Sequence, residues 1–109
     1  MEKLLDKYTY RIEWSEEDEA HVARCLEFPF LSAFGKTIEA ALKEIRFVVK
    51  EVLIWREEDK EPIPEPLGLR KYKGHLTLRV PPEVHRSLVV RSAEARVSIN
   101  QYILSKISV

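Results

Sequence analysis

Short stretches near the start of the chain alternate between apolar and polar residues. Within residues 8–14, every second side chain is aromatic or β-branched: Tyr8, Tyr10, Ile12 and Trp14. A period of two with these residue types predicts a strand that buries one face. After a polar turn, residues 20–26 predict the returning strand of a hairpin, and residues 31–34 predict a third strand that ends at Gly35.

The next segment changes to the spacing of a helix. Thr37 is a suitable N-cap, and Glu39 lies in the first turn, where the helix dipole favours a negative charge. Apolar residues then recur at spacings of four and three: Ala41, Ile45, Val48, Val52 and Trp55. This pattern predicts an amphipathic helix that runs to about Arg56 and packs on the sheet. The sheet would have three strands, or four if the segment around residues 69–72 adds one.

Prolines then occupy every second position from Pro62 to Pro66. Proline fixes its own φ and restricts the preceding residue, so this stretch predicts an extended, semi-rigid linker. We therefore expect two domains, residues 1–66, which end in the linker, and residues 67–109.

The segment after the linker contains one more alternating stretch and two helical patterns. Residues 75–80 would place Leu76, Leu78 and Val80 on one face of a strand. Pro81-Pro82-Glu83 predicts a helix start. Ser98, with Gln101 three residues later, forms a capping-box pattern for a second helix, whose apolar face would contain Ile99, Tyr102, Ile103 and Ile107.

Charge separates the two predicted domains. The 109 residues carry 18 basic and 18 acidic side chains. Residues 1–67 contain ten basic and sixteen acidic residues, a balance of −6, whereas residues 68–109 contain eight and two, a balance of +6. Such asymmetry indicates a part that binds nucleic acid joined to a part that does something else.

The predicted tail is too small to bury a core by itself. A lone strand leaves both backbone edges unpaired, and units of this size need additional support. A homodimer would pair the two strands and bury a shared apolar set: Leu76, Leu78, Val80, Leu88, Ile99, Ile103 and Ile107. The outward residues His75, Thr77 and Arg79 would then lie on a two-stranded ribbon, which fits the major groove of DNA.

Residues 74–107 resemble the ribbon-helix-helix DNA-binding domains. The resemblance rests on the strand, the Pro81-Pro82-Glu83 helix start and the capping box at Ser98. It implies that His75, Thr77 and Arg79 read base edges. It also implies that the start of the second helix binds a backbone phosphate through Ser98, Ile99 and Asn100, in agreement with the anion preference of helix N-termini.

Nearly all of residues 8–107 resemble the HicB antitoxin family, most clearly over residues 10–18, 31–42 and 62–66. The resemblance implies an α+β fold: a reduced ribonuclease-H-type domain with a three- to four-stranded antiparallel sheet and one long helix, then a ribbon-helix-helix dimerisation domain. It implies a type II antitoxin that inhibits a HicA-type mRNA-cleaving toxin and represses its own operon. The chain has Arg96-Val97 where the turn between the helices usually has glycine.

Two other functions remain open: a free-standing HicB-like transcriptional regulator without a toxin, and a metal-dependent nuclease. The nuclease is disfavoured because two-metal chemistry needs several carboxylates, whereas Glu13 ends the first predicted strand, Glu27 follows the second and no further acid lies in a strand interior. We therefore expect no catalysis, no cofactor and no metal site, since the three histidines lack ligand spacing and Cys25 is alone.

Location and assembly can be stated only as expectations. The sequence contains no targeting signal and no membrane-spanning run, so we expect a cytoplasmic protein that does not bind membranes. The expected partners are operator DNA, a toxin and a second copy of the chain, with a tetramer of two dimers as an alternative.

Overall fold

A computed structural model describes residues 2–108, which form two compact units, Met1–Tyr72 and Lys73–Val109. The first unit contains α1 (Glu2–Lys7), β1 (Tyr10–Ser15), β2 (Ala20–Cys25), β3 (Phe28–Gly35), α2 (Ile38–Glu58) and a short 3-10 helix (Leu67–Leu69). The second unit contains α3 (Pro82–Glu94) and α4 (Ile99–Ile107). The fold class is α+β with an antiparallel sheet, as predicted.

The sheet of the first unit has the order β1-β2-β3, and both strand pairs are antiparallel. The register places Ile12, Ala23 and Ala33 opposite one another across the three strands. These residues belong to the core or pack against it. The three predicted strands and the predicted long helix are confirmed, whereas the short helix α1 was not predicted.

The core of the first unit lies between the sheet and α2. Helix α2 begins at the N-cap Thr37, whose side chain accepts a hydrogen bond from the Ala40 N–H at 3.0 Å. Its buried residues recur at every fourth position: Ala41, Ile45, Val49 and Leu53. The predicted face was therefore wrong in part, because Trp55 is exposed. A Cβ at Gly35 would lie 2.3 Å from the Ala41 nitrogen, so glycine permits α2 to pack closely on β3.

The predicted fourth strand around residues 69–72 is wrong. Leu67–Leu69 forms a turn of 3-10 helix, and no strand follows it in the described part of the chain. Two side chains of this segment form hydrogen bonds with the backbone that precedes them. The Tyr72 hydroxyl donates to the Leu67 carbonyl at 2.7 Å, and the Arg70 guanidinium donates to the Glu65 carbonyl at 3.0 Å. The sheet consequently has three strands.

The proline-rich segment is held against the first unit by hydrogen bonds. The Tyr8 hydroxyl donates to the Pro64 carbonyl at 2.8 Å, and Arg56 donates to the Pro62 carbonyl at 3.1 Å. Burial, with the nearby acidic groups of Cys25 and Glu27, raises the pKa of the Tyr8 hydroxyl to about 12, so the donor keeps its proton. The segment is thus part of the first unit's packing.

The second unit consists of two helices and an extended segment. Helix α3 begins after Pro81, as predicted, and ends in a Schellman motif, in which Arg96 adopts φ 60° and the Val97 N–H donates to the Ser92 carbonyl at 3.1 Å. Helix α4 begins with the predicted capping box at Ser98.

The predicted strand at residues 75–80 is not formed in this single chain. None of these residues donates or accepts a backbone hydrogen bond within the described chain. The physical reason is that a strand exists only when a neighbouring strand pairs with its backbone groups, and residues 81–108 supply no strand to pair with. The ribbon therefore stays a prediction.

Candidate interfaces with nucleic acid and protein

The second unit has an open concavity of about 840 Å³. The extended segment and the two helices line it together. All seven apolar residues that the sequence assigned to a shared core line this concavity: Leu76, Leu78, Val80, Leu88, Ile99, Ile103 and Ile107. Two of them are strongly exposed, with 80% of Leu76 and 62% of Leu78 accessible to solvent. The second unit therefore presents the residues of a core without enclosing them.

The predicted base-reading residues are all exposed on the extended segment. His75 and Arg79 also contribute to the lining of the concavity, and Thr77 does not. The separation of apolar and polar residues onto two faces of this segment therefore stays a prediction. That separation requires the pleat of a paired strand.

The N-terminus of α4 is the predicted phosphate site. The Ser98 side chain accepts a hydrogen bond from the Gln101 N–H at 3.0 Å, and the Gln101 side chain accepts one from the Ser98 N–H at 3.2 Å. The N–H groups of Ile99 and Asn100 have no acceptor within the described chain. Two donors at a helix N-terminus are therefore available to an anion.

The basic side chains of the second unit are not neutralised locally. Residues 73–109 contain six Lys and Arg against two acidic residues, a balance of +4. Within residues 2–108, every ion pair between side chains lies in the first unit. The positive charge of the second unit is thus free to act on a partner.

Glu27 forms a buried hydrogen-bonded centre in the first unit, which no sequence pattern predicted. Its side chain is only 8% exposed and accepts hydrogen bonds from the Thr9 N–H at 2.9 Å, the Thr9 hydroxyl at 3.1 Å and the Leu67 N–H at 2.9 Å. Burial by itself raises the pKa of Glu27, but the N–H groups of Leu67 and Thr9 outweigh it and hold the pKa below its ordinary value. Glu27 therefore links Thr9, which directly precedes β1, to the segment that follows the prolines.

The residues considered for catalysis have structural partners. Glu13 pairs with Arg24 at 3.4 Å and with Arg11 at 3.6 Å. Burial raises the pKa of the Cys25 thiol to about 11, so the thiol stays protonated and unreactive at neutral pH. No three His, Cys, Asp or Glu side chains gather into a possible metal site within residues 2–108.

Comparison with known families addresses the second unit and the end of the first. Residues 57–107 match the model of the HicB family. The match runs from the end of α2, through the proline-rich segment, to the end of α4. It supports the HicB resemblance found in the sequence, although residues 10–18 and 31–42 lie outside it.

The HicB similarity points to a toxin–antitoxin component in general, with a toxin as a partner. No curated protein and no solved structure matched the chain. No helix among the described residues is long and apolar enough to cross a membrane.

Proposed function

We propose that the chain is a HicB-like antitoxin of a type II toxin–antitoxin system. In this proposal, the first unit binds a HicA-type mRNA-cleaving toxin, and the second unit forms a dimeric ribbon-helix-helix domain that represses its own operon. The chain itself catalyses no reaction. The observation that carries the proposal is the open concavity, because all seven residues of the expected dimer core line it.

The apolar concavity favours a second copy as its occupant. Leu76 and Leu78 belong to the segment that lacks a pairing partner, so one event would cover apolar side chains and satisfy backbone groups. An antiparallel copy of the same segment supplies both, since a two-fold interface is self-complementary. Pairing would also place His75, Thr77 and Arg79 of each chain on the opposite, outward face.

Charge and free donors support DNA as the partner of this dimer. The second unit is positive, and its residues 73–108 form no ion pair with one another, so two copies would present a surface that attracts phosphates. Arginine makes bidentate contacts to guanine, which gives Arg79 the base-reading role, while the free N–H groups of Ile99 and Asn100 would bind phosphate oxygens.

The proposal is tested with DNA upstream of the gene and with the product of the neighbouring reading frame. The full chain should bind both, and affinity for the DNA should fall steeply with salt. Arg79→Ala should weaken specific DNA binding by about 1–3 kcal/mol, whereas Arg91→Ala, a change of the same type on α3, should have a small effect that does not depend on sequence. Equal losses for the two variants would contradict the assignment of Arg79.

A free-standing transcriptional regulator is the second candidate. The observation in its favour is that the HicB match reaches only the last two residues of α2 and thus includes little of the first unit's sheet and helix. Under this alternative, the chain would bind the upstream DNA but no neighbouring gene product. Binding of both distinguishes the antitoxin.

A further inference from the structure

The outer surface of α2 carries an exposed pattern that the fold does not use. Five residues at spacings of three and four alternate between acidic and aromatic: Glu44, Phe47, Glu51, Trp55 and Glu58. All five are exposed, with 59% of Phe47 and 62% of Trp55 accessible to solvent. We call these five residues the α2 stripe. It runs for about 21 Å at 1.5 Å per residue.

The core does not account for the α2 stripe. The buried side of the helix is formed by residues four apart, from Ala41 to Leu53, and is already packed against the sheet. Two large aromatic side chains exposed on the same side of one helix make this side a candidate interaction surface.

Three of the four basic residues of α2 have contacts away from the stripe, and the fourth, Lys43, is exposed and has no ion pair within the described chain. Two of the three pair with acidic residues of α1: Arg46 with Asp6 at 2.8 Å, and Lys50 with Glu2 at 2.7 Å. The Arg56 guanidinium lies 5.2 Å from the centre of the Phe28 ring. The three glutamates of the α2 stripe, in contrast, have no ion pair within the described chain. The stripe is consequently negative.

This chemistry selects a basic protein partner. Arginine and lysine bind carboxylates and stack on aromatic rings, so a surface rich in them could use both features of the stripe at once. A protein that binds and cleaves mRNA must carry such side chains to hold phosphates. A second copy of the chain fits poorly, because two facing α2 stripes would bring glutamates together.

We propose that the α2 stripe is the surface that binds the toxin, through the basic residues with which the toxin holds RNA. This inference rests on the proposed antitoxin function and adds the location of the interface. Since the stripe would occupy the RNA-holding residues, the chain and RNA would compete for the toxin. The exposed sheet residue Phe34 offers a comparison surface, because Glu13, two strands away in the same row of the sheet, already pairs with Arg11 and Arg24.

The test uses the full chain and the purified product of the neighbouring reading frame, with affinities measured by calorimetry. Trp55→Ala should weaken binding by about 30-fold, as expected for an aromatic hot spot, and Phe34→Ala should leave the affinity within about threefold. Replacing Glu44, Glu51 and Glu58 by glutamine should weaken binding and reduce its salt dependence. All these positions are exposed, so circular dichroism should show an unchanged fold.

Two further measurements separate the possible occupants. A 2′-O-methyl RNA oligonucleotide bound to the toxin should be displaced by the wild-type chain and much less by Trp55→Ala. In a Trp14→Phe background, Trp55 is the only remaining tryptophan, and its fluorescence should shift to shorter wavelength when the toxin binds.

Each outcome has a defined meaning. If the wild-type chain does not bind the neighbouring product, the antitoxin function fails and the stripe proposal fails with it. If the wild-type chain binds but the stripe variants bind equally well, only the location is wrong. If Phe47→Ala and Trp55→Ala instead lower the oligomeric state in sedimentation experiments, the α2 stripe binds a second copy and the proposal is overturned.

Discussion

The two units differ in how far each buries its apolar side chains within a single chain. In the first unit, α2 covers the sheet, and residues such as Phe28, Ile45 and Leu53 are completely buried within one chain. In the second unit, Ser92 is the only described residue that is buried, and Leu76 and Leu78 face solvent. Both units have regular helices with well-formed caps, so local structure alone does not produce a core.

The difference follows from the number of layers that each sequence supplies. The first unit has a sheet and a long helix, which are two layers with complementary apolar faces. The second unit has two short helices and one extended segment, whose apolar side chains line a concavity with nothing on its other side. We infer that the first unit is stable in a single chain, whereas the second depends on association and hence on protein concentration.

The largest expected effect comes from Leu78→Ala in the second unit. Each chain would lose about 2–5 kcal/mol, and a symmetric dimer contains the site twice. Thr77→Ala, one position away on the outward face, should leave the dimer intact. Sedimentation equilibrium over a range of concentrations measures both variants. If the wild-type chain is monomeric at every concentration, the second unit does not depend on association, and the contrast between the two units does not hold.

Ile45→Ala should have the next largest effect, confined to the first unit. Ile45 is fully buried under the sheet, so its truncation should lower the free energy of unfolding by about 2–5 kcal/mol. Unlike the effect of Leu78→Ala, this loss should not change with protein concentration. Ile38→Ala, at a position on the same helix that is 53% exposed, should change stability by less than about 0.5 kcal/mol. Urea unfolding at two protein concentrations distinguishes the two behaviours.

Sequence patterns predicted the elements with strong local signals. The alternation in residues 8–14, the Thr37 N-cap and the Ser98 capping box all correspond to observed elements, because each depends on neighbours within a few residues. The fourth strand was wrong because side chains of Arg70 and Tyr72 bond to the preceding backbone, which a strand pattern cannot reveal.

The candidate sites were less predictable. The seven residues of the predicted shared core were identified from periodicity and do line one surface, but three of them lie on a segment that forms no strand in the single chain. Glu27 was missed as a structural centre because its donors, Thr9 and Leu67, lie 18 and 40 residues away in sequence. The α2 stripe was missed because its aromatic residue Trp55 was counted in the core face.

A smaller effect is expected at Glu27, which joins distant parts of the first unit. Glu27→Gln should lower the free energy of unfolding at pH 7 by about 1–3 kcal/mol, since the buried N–H groups of Thr9 and Leu67 lose a charged acceptor. Glu13→Gln, which affects only exposed ion pairs, should cost less than about 1 kcal/mol.

The pH dependence of the same variant gives an independent check. The pKa of Glu27 is lower in the folded chain than its ordinary value of 4.5, so its contribution is complete above that value and is lost as pH falls through the folded pKa. The stability difference between wild type and Glu27→Gln should therefore shrink in acid. A difference that stays constant down to pH 2 would show that the carboxylate charge is not what holds the segment.

The smallest effects should come from the C-terminal ends of α2 and α3, which have the same backbone geometry in the two units. Lys60 after α2 and Arg96 after α3 both adopt left-handed backbone conformations, with φ of 56° and 60°. In each case, the N–H of the following residue closes a Schellman motif. The Glu61 N–H donates to the Arg56 carbonyl at 2.7 Å, and the Val97 N–H donates to the Ser92 carbonyl at 3.1 Å. Glycine avoids the Cβ strain of this conformation, so each substitution to glycine should stabilise its own unit by about 1 kcal/mol.

These two substitutions test whether the units unfold separately. Lys60→Gly should raise the midpoint of a transition that does not depend on concentration, and Arg96→Gly should raise the midpoint of a concentration-dependent one. Calorimetric scans at two protein concentrations would separate the transitions. If either substitution shifted both transitions together, the units would unfold as one cooperative system, and the contrast between a self-contained core and a shared one would not hold.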